Sequence, residues 1–411
     1  MLQLRAIVLL CLALPAIGGC ALHHNREHGC APPTPPPYEL PAIERGSISA
    51  DVADAVDPNA ARPRDHFVAL TAAEAQCTAV MQSTIGNLLD REASMDCGGC
   101  RKRHDECDTQ LRNLLLHTAA AEMRNKNAAD ALRLYYGIAE AEAGLDSVAA
   151  SEPIVTEALA HIDELRRGML TIPFDETLWD RQLVDLAAKR ADLEATRADL
   201  NAKLRVLLNY PSQPDDAYFW PNEQFAIDAA PFDAEGEVGY GLATDPEIQM
   251  LRELPSYSVD SLTDVIKALL GQQHGLLGLK SKVAMAFLKK LLGCEEDCEP
   301  CARVGQLREL SASRENKLAG EIRAAVRICD ERRREAALAE REVESWAGRV
   351  SVIEQKRAIG ESSFVELAEA QLKLIEARQS VVSAVMKFKR AEVDLHELQG
   401  ALVAECGCPG H

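Results

Sequence analysis

Three consecutive seven-residue segments decide the fold of this chain: residues 185–205 read DLAAKRA, DLEATRA, DLNAKLR. Leucine recurs at every seventh position from Leu186 to Leu207, and alanine does the same from Ala188 to Ala202. A seven-residue apolar period keeps one helix face against a partner helix and gives a left-handed supercoil. The stretch therefore predicts a long helix that packs along another helix.

The C-terminal part of the chain uses the same device. A row of large apolar side chains recurs every seven residues, and a row made mostly of alanine lies three positions further on. The two rows are Leu367, Leu374, Val381, Phe388 and Leu395, and Ala370, Ala377, Ala384, Ala391 and Leu398. A large row beside a small row lets helices approach closely, so a second coiled coil is predicted here.

The two coiled coils belong to an internal duplication. Residues 124–128 (RNKNA) match residues 314–319 (RENKLA) after one inserted residue. In each copy a long helix runs to a glycine, turns, and returns as a shorter helix. The first pair, 102–167 and 175–208, predicts lengths of about 99 Å and about 51 Å, with a kink or break at Pro153. The predicted fold is all-α: duplicated, long, antiparallel coiled-coil hairpins with little or no β structure.

Composition agrees with this fold and excludes other classes. Hydrophobic residues make up 47% of the 411 residues but aromatic residues only 4%, which favours helices over sheets. The 45 basic and 64 acidic residues give a net charge of −19. Such a surface repels phosphate backbones, so nucleic acid is not an expected partner.

The N-terminus carries an export signal. Arg5 precedes an apolar run at 6–17 that is too short to span a membrane, and small residues then lead to Cys20. Small residues directly before a cysteine resemble the lipobox of bacterial lipoproteins, which implies lipidation of Cys20 and anchoring in the outer-membrane lipid. The alternative is an ordinary secretory signal peptide in which Cys20 is incidental.

The whole chain divides into six predicted segments. They are a lipoprotein signal peptide (1–20), a proline-rich tether (21–65), a first helical repeat (66–209), an irregular belt (210–257), a second helical repeat (258–400) and a cysteine-containing tail (401–411). Proline makes the tether stiff and extended, and in the belt it removes the donors that a strand needs.

This order of elements, occurring twice, resembles the TolC-type outer-membrane efflux proteins over residues 105–400. The most specific match is 360–371 (GESSFVELAEAQ), which is similar to the family's turn between long and return helix. The resemblance implies an efflux or export component: a homotrimer that forms a hollow periplasmic helical duct. It also implies two partners, a periplasmic adaptor (membrane fusion) protein and an inner-membrane pump.

The resemblance implies that the hairpin turns face the adaptor. The residues concerned are Gly168, Leu170 and Thr171 in the first copy and Gly360, Ser362 and Ser363 in the second. The alternative is that these glycines and serines only end one helix and cap the next.

The sequence departs from the family at the two junctions before the long helices. Typical members place there the β-hairpins that the trimer closes into a membrane barrel, but residues 96–107 and 293–301 are short, charged and cysteine-rich. The hairpins are therefore expected to be missing. This leaves a second interpretation open: a lipid-anchored periplasmic coiled-coil scaffold that transports nothing.

The junction cysteines suggest a covalent clasp. In the family layout the two junctions are neighbours, and an oxidising compartment favours disulfides among Cys97, Cys100, Cys107, Cys294, Cys298 and Cys301. The alternative is zinc held by Cys97, Cys100, His104 and Cys107, as in a metal-binding envelope lipoprotein. Once Cys11 and Cys20 are set aside the count is odd. At least one further cysteine is then free or pairs between chains, and the candidates are Cys30, Cys77, Cys329, Cys406 and Cys408.

Catalytic motifs are missing from the sequence. It has no phosphate-binding glycine loop, HExxH, nucleophile elbow or EF-hand loop, and His117, His161 and His396 stand alone on predicted helices. The protein is expected to be no enzyme and to need no cofactor or metal.

Overall fold

A computed structural model describes residues 67–94, 103–168, 176–210, 218–223, 225–227, 230–257, 265–266, 269 and 298–406. The signal peptide, Cys20, the tether and most of the two cysteine-rich junctions lie outside these residues, so the predictions made on them stay predictions. No helix among the described residues is both long and apolar enough to cross a membrane.

The chain forms two short strands and eight helices within the described ranges. In chain order they are β1 (Phe67–Leu70), α1 (Ala72–Met81), α2 (Thr84–Ser94), α3 (Arg103–Arg167), α4 (Glu176–Leu207), β2 (Tyr218–Pro221), α5 (Ala234–Thr244), α6 (Pro246–Glu253), α7 (Cys298–Ala358) and α8 (Phe364–Gln399). Single 3-10 turns follow α6 and α8. The predicted all-α fold with little β structure is confirmed.

The two long helices of the first copy, α3 and α4, have the predicted lengths. At 1.5 Å per residue α3 spans about 98 Å and α7 about 92 Å, and the return helices α4 and α8 span about 48 Å and about 54 Å. α3 is continuous through Pro153. The proline lies on the exposed side of the helix, where solvent can satisfy the carbonyl that its missing N–H leaves without a donor.

The four long helices lie side by side in one layer. α4 packs on α3, α3 on α8, and α8 on α7, so α4 and α7 form the two edges. Along the α3–α4 seam, leucines of α4 fill the spaces left by two glycines of α3. A Cβ atom at Gly137 would lie 3.1 Å from Leu200 Cδ1, and one at Gly144 would lie 3.0 Å from Leu193 Cδ2. This confirms the predicted leucine seam.

The small elements show that the duplication includes residues 210–257. β1 and β2 pair in parallel, with Phe67 beside Tyr218 and Leu70 beside Pro221. α1 and α2 pack on α3, α5 packs on α7, and α6 contacts both α3 and α7. The belt expected to be irregular therefore contains β2, α5 and α6. The two helices begin at the N-caps Asp233 and Asp245, whose side chains accept backbone N–H bonds.

The largest apolar core lies where the strands meet the middle of the helical layer. Its fully buried large side chains include Tyr135, Phe219 and Leu204, which come from α3, β2 and α4. Tyr135, Tyr136 and Phe225 contact one another with ring centroids 5.5–6.1 Å apart. This aromatic cluster packs the hairpin of the first copy against the belt. The ends of the hairpins lie beyond this core.

Candidate functional site

The turn between α7 and α8 forms the tip of the second hairpin. Gly360 adopts a left-handed conformation (φ +78°), which a residue without a Cβ reaches at no steric cost. The Gly360 and Glu361 N–H groups donate to the carbonyls of Arg357 and Lys356 at 3.0 and 2.8 Å. Ile359 beside the glycine is 70% exposed. The tip thus presents a firmly bonded turn with an apolar side chain in solvent.

The two predicted serines of this tip cap α8. Ser363 is the N-cap, and its hydroxyl accepts the Glu366 N–H at 3.1 Å while the Glu366 carboxylate accepts the Ser363 N–H at 3.3 Å. Ser362 donates its hydroxyl to the same carboxylate, and this bond lowers the pKa of Glu366. Both serines therefore have a structural role here, as the alternative interpretation of this turn expects.

The ends of the two hairpins are packed into one unit. The ring of Phe364, the first residue of α8, lies between His161 of α3 (centroids 5.2 Å apart) and the guanidinium of Arg357 of α7 (4.9 Å). Beside it, Trp179 of α4 is buried against Val365 at the start of α8. Side chains from all four long helices thus meet at this end of the layer.

The first hairpin turn is described only in part. Gly168 follows α3, donates its N–H to the Glu164 carbonyl at 3.0 Å and is exposed, as predicted for a turn. Leu170 and Thr171 lie outside the described residues. Nothing in the structure tests whether any of the six tip residues contacts an adaptor.

At the other end of α8 the chain is covalently clasped. Gly400 ends the helix in a left-handed conformation, and the tail then turns back to the N-terminal side of the fold. Cys406 forms a disulfide with Cys77 of α1, with Cα atoms 5.2 Å apart. Gln76 donates to the Leu402 carbonyl at 2.8 Å, and Asn125 accepts the Leu402 N–H at 3.1 Å. Covalent and hydrogen bonds thus join the two copies.

This disulfide was not identified from the sequence, since its partners lie 329 residues apart. Of the six cysteines predicted to form a clasp, Cys97, Cys100 and Cys294 lie outside the described residues. Cys107, Cys298 and Cys301 lie on described helix backbone, but their side chains do not belong to the described part. Their pairing stays a prediction.

One cysteine of the described part is free, which fits the odd count. Cys329 of α7 is fully buried in the core beside α8, and burial raises the pKa of its thiol to about 12. A thiol held protonated in an apolar core is neither a nucleophile nor a metal ligand.

The isolated histidines lie on helices beside other side chains. His117 Nδ1 lies 3.0 Å from an Asp90 carboxylate oxygen, and His396 Nδ1 lies 3.6 Å from Glu405. Among the described residues no three His, Cys, Asp or Glu side chains are grouped so that they could hold a metal ion. Among the described carboxyl groups, Glu122 has the pKa that is raised furthest. Burial and the nearby carboxylates of Glu247 and Asp245 raise the pKa of Glu122 to about 8.

Comparison with known proteins gives a fold match. No protein-family model and no curated protein matches the sequence. Among solved structures, the outer-membrane channel OprN has a TM-score of 0.55 at 13% identity, covering 89% of this chain and 98% of OprN. The chain has the TolC-type fold. Two further structures match in the same way. The open MtrE outer-membrane channel of Neisseria gonorrhoeae has a TM-score of 0.52 at 12% identity, covering 81% of this chain and 88% of MtrE. CusC has a TM-score of 0.52 at 12% identity, covering 72% of this chain and 73% of CusC.

The TolC-type fold accounts for the main features of the layer. The match covers 89% of this chain, so it extends well beyond a single helical hairpin. The structures that the chain resembles are channels rather than enzymes. At these identities the likeness concerns the fold, and the activity follows as a proposal.

Proposed function

We propose that this protein is an efflux or export component of the outer membrane. It assembles as a homotrimer whose helical layers form a periplasmic duct. It docks a periplasmic adaptor of an inner-membrane pump through its hairpin tips, and is anchored in outer-membrane lipid by Cys20. The observation that carries the proposal is the TolC-type fold, matched over 89% of this chain and 98% of OprN.

The exposed edges of the layer support assembly into a ring. In a layer one helix thick, each of the two edge helices has a neighbouring long helix on one side only. On these edges apolar side chains are exposed: Leu178 at 59%, Val184 at 67% and Val206 at 83% on α4, and Leu338 at 62% and Val352 at 49% on α7. Exposed large apolar side chains along both edges favour coverage of these edges by another chain.

The form of the tips supports adaptor docking. The capped turn between α7 and α8 holds its exposed groups in fixed positions, and fixed exposed groups are favourable for contact with a partner. Ile359 is the apolar group best placed for this, because it stands in solvent beside Gly360, around which there is open space.

The test is the shape and conductance of the acylated protein purified from membranes in detergent. Negative-stain images should show a hollow three-fold cylinder, and the protein should conduct ions when reconstituted in a planar bilayer. A three-fold cylinder without conductance would support the lipid-anchored scaffold instead. A solid or monomeric rod would overturn the duct.

A further inference from the structure

Helix α6 contacts both long helices beyond the end of α8. α8 lies between α3 and α7 and ends at Gly400, which lies against the start of α6: a Cβ atom at Gly400 would be 2.7 Å from Pro246 Cδ. α6 then contacts α3 on one side and α7 on the other. On the side of the layer away from the tips, α6 therefore joins the long helix of the first copy to that of the second.

Apolar side chains form one part of this joint. Met250 and Leu251 of α6, and Leu254 directly after it, are buried in one cluster with Leu111 of α3 and Leu307 of α7. Burial of these side chains stabilises the joint equally at every pH, because none of them carries a titratable group. The other part of the joint lies at the start of α6 and is ionic.

At the start of α6 three carboxyl groups lie around one arginine. Glu122 of α3 is partly buried and lies close to Asp245 and Glu247 at the start of α6, and to Arg314 of α7. If every group were ionised, three carboxylates and one guanidinium would give this cluster a net charge of −2. An excess of like charge away from water is costly, and the cluster avoids it by keeping a proton.

The contacts of the three carboxyl groups decide which of them keeps the proton. Asp245 is the N-cap of α6 and accepts the Ile248 N–H at 2.7 Å, and Glu247 accepts the Arg314 Nε–H at 2.8 Å. Both bonds favour the ionised form of the accepting group. Glu122 forms no hydrogen bond or ion pair with any described residue, and burial beside the two carboxylates raises its pKa to about 8. The proton therefore belongs on Glu122.

The other charged groups around this cluster leave Arg314 as the cation that acts on Glu122. Lys126, one turn further along α3, is exposed. Burial raises the pKa of Asp245 as well, so this second carboxyl adds no strong negative charge that would need another cation. The remaining charged groups nearby pair with one another: Arg252 with Glu315 of α7, Arg124 with Asp90 of α2, Arg133 with Glu397 of α8, and His396 with Glu405 of the tail.

We propose that the start of α6 is a proton-dependent joint, which holds α3 and α7 together while Glu122 is protonated and loosens when Glu122 loses its proton. In the open joint water solvates the carboxylate, so Glu122 ionises there at the ordinary pKa of glutamate. Opening therefore becomes easier as pH rises from that value to about 8, and changes no further above about 8. The joint lies within one chain, so it goes beyond the proposed function and does not depend on the trimer.

Hydrogen–deuterium exchange of the full acylated protein in detergent measures this opening. Peptides that cover residues 247–254 are followed by mass spectrometry from about pH 6 to about pH 9.5, and each rate is divided by the intrinsic rate of an unfolded peptide at that pH. The corrected rate should rise by up to about tenfold per pH unit and level off above about pH 8. A corrected rate that does not change with pH would overturn the proposal.

The middle of α8 shows whether the opening is local. Residues 370–385 should exchange more slowly than α6 at every pH, because they exchange only when more of the layer unfolds. Equal corrected rates in the two regions would mean that α6 opens only with the whole chain, and would overturn the joint.

Three variants test the role of Glu122. Glu122→Gln removes the titrating group at nearly equal size, so the corrected rate of α6 should become independent of pH and lie about tenfold or more below wild type at about pH 9. Glu309→Gln, at an exposed glutamate of α7, is the matched control and should keep the wild-type curve. A rise that survives Glu122→Gln would overturn the proposal.

Arg314→Gln shifts the transition in a known direction, and keeps the test valid if Glu122→Gln does not fold. Without the guanidinium Glu122 holds its proton more tightly, so the corrected rate should level off at a higher pH than in wild type. Levelling off at an unchanged pH would show that Arg314 does not act on Glu122, and would overturn the cluster.

Discussion

The two return helices, α4 and α8, both carry a heptad row of large apolar residues and a heptad row of alanines, and they differ in how deeply these rows are buried. In α8 Phe388 and Leu395 of the large row are fully buried, and Ala377 and Ala384 of the small row are buried, although Leu374 and Val381 are only partly buried. In α4 the leucines are only partly buried and the alanines are exposed. The physical cause is position, because α8 lies between α3 and α7 whereas α4 has a neighbour on one side only. A heptad row shows that a helix needs partners but not which chain supplies them.

The largest expected effect tests the difference in burial between the core positions of α8 and α4. Phe388→Ala in α8 should lower the free energy of unfolding by about 3–5 kcal/mol, because the ring is fully buried. Leu200→Ala in α4 should cost less, since Leu200 is only partly buried. Urea unfolding followed by far-UV circular dichroism would measure both. Equal losses would mean that α4 is as well covered as α8.

The next prediction concerns the ends of the two helices. α8 leads into the clasped tail, so Cys77→Ser/Cys406→Ser should lower the free energy of unfolding by about 2–4 kcal/mol. The single variant Cys77→Ser is the control and should lose as much, because either change opens the same bond. An unchanged urea midpoint in both variants would show that the hydrogen bonds of Gln76 and Asn125 hold the tail without the disulfide.

The third prediction tests the packing of α4 leucines against α3 glycines at the α3–α4 seam. Gly137→Ala should destabilise by about 1–3 kcal/mol, because the new Cβ would meet Leu200 at 3.1 Å. Gly320→Ala on α7 is the matched control: nothing lies within 4 Å of its new Cβ, so it should stabilise by up to about 1 kcal/mol.

The double variant Gly137→Ala/Leu200→Ala shows whether the two side chains meet. The changes should be non-additive by about 0.5–3 kcal/mol if Leu200 fills the glycine space. Additive losses would place Leu200 elsewhere.

The smallest expected effect lies at the start of α8. Ser363→Ala should cost about 1 kcal/mol, because it removes the N-cap hydroxyl that accepts the Glu366 N–H. Ser380→Ala in the exposed middle of the same helix should be nearly neutral or slightly stabilising, since alanine favours helix more than serine does. Similar losses of stability at both positions would show that Ser363 does not stabilise α8 as its N-cap.

Sequence patterns located α3 and α4 to within one residue at each end, because the information is local. Heptad rows define helix bodies, Gly360 and Gly400 mark ends, and Ser363 with Glu366 marks a beginning. The tip residues were found through the family resemblance together with these same local signals.

The missed strands depend on contacts between distant parts of the chain, whereas the missed helix α6 carries a local signal. β1 and β2 are four residues each, and each becomes a strand only because the other lies beside it. The prolines of 210–257 suggested irregular structure, yet Pro246 occupies the first turn of α6, where no N–H bond is needed.

The sequence by itself determined the secondary structure of the rod: long helices, their turns and the duplication follow from periodicity and capping within a few residues of each position. Only the tertiary structure decided which helix lies inside the layer and which at its edge, and which two cysteines meet. Those outcomes depend on packing between residues far apart in the chain, which leave no local pattern for a single sequence to reveal.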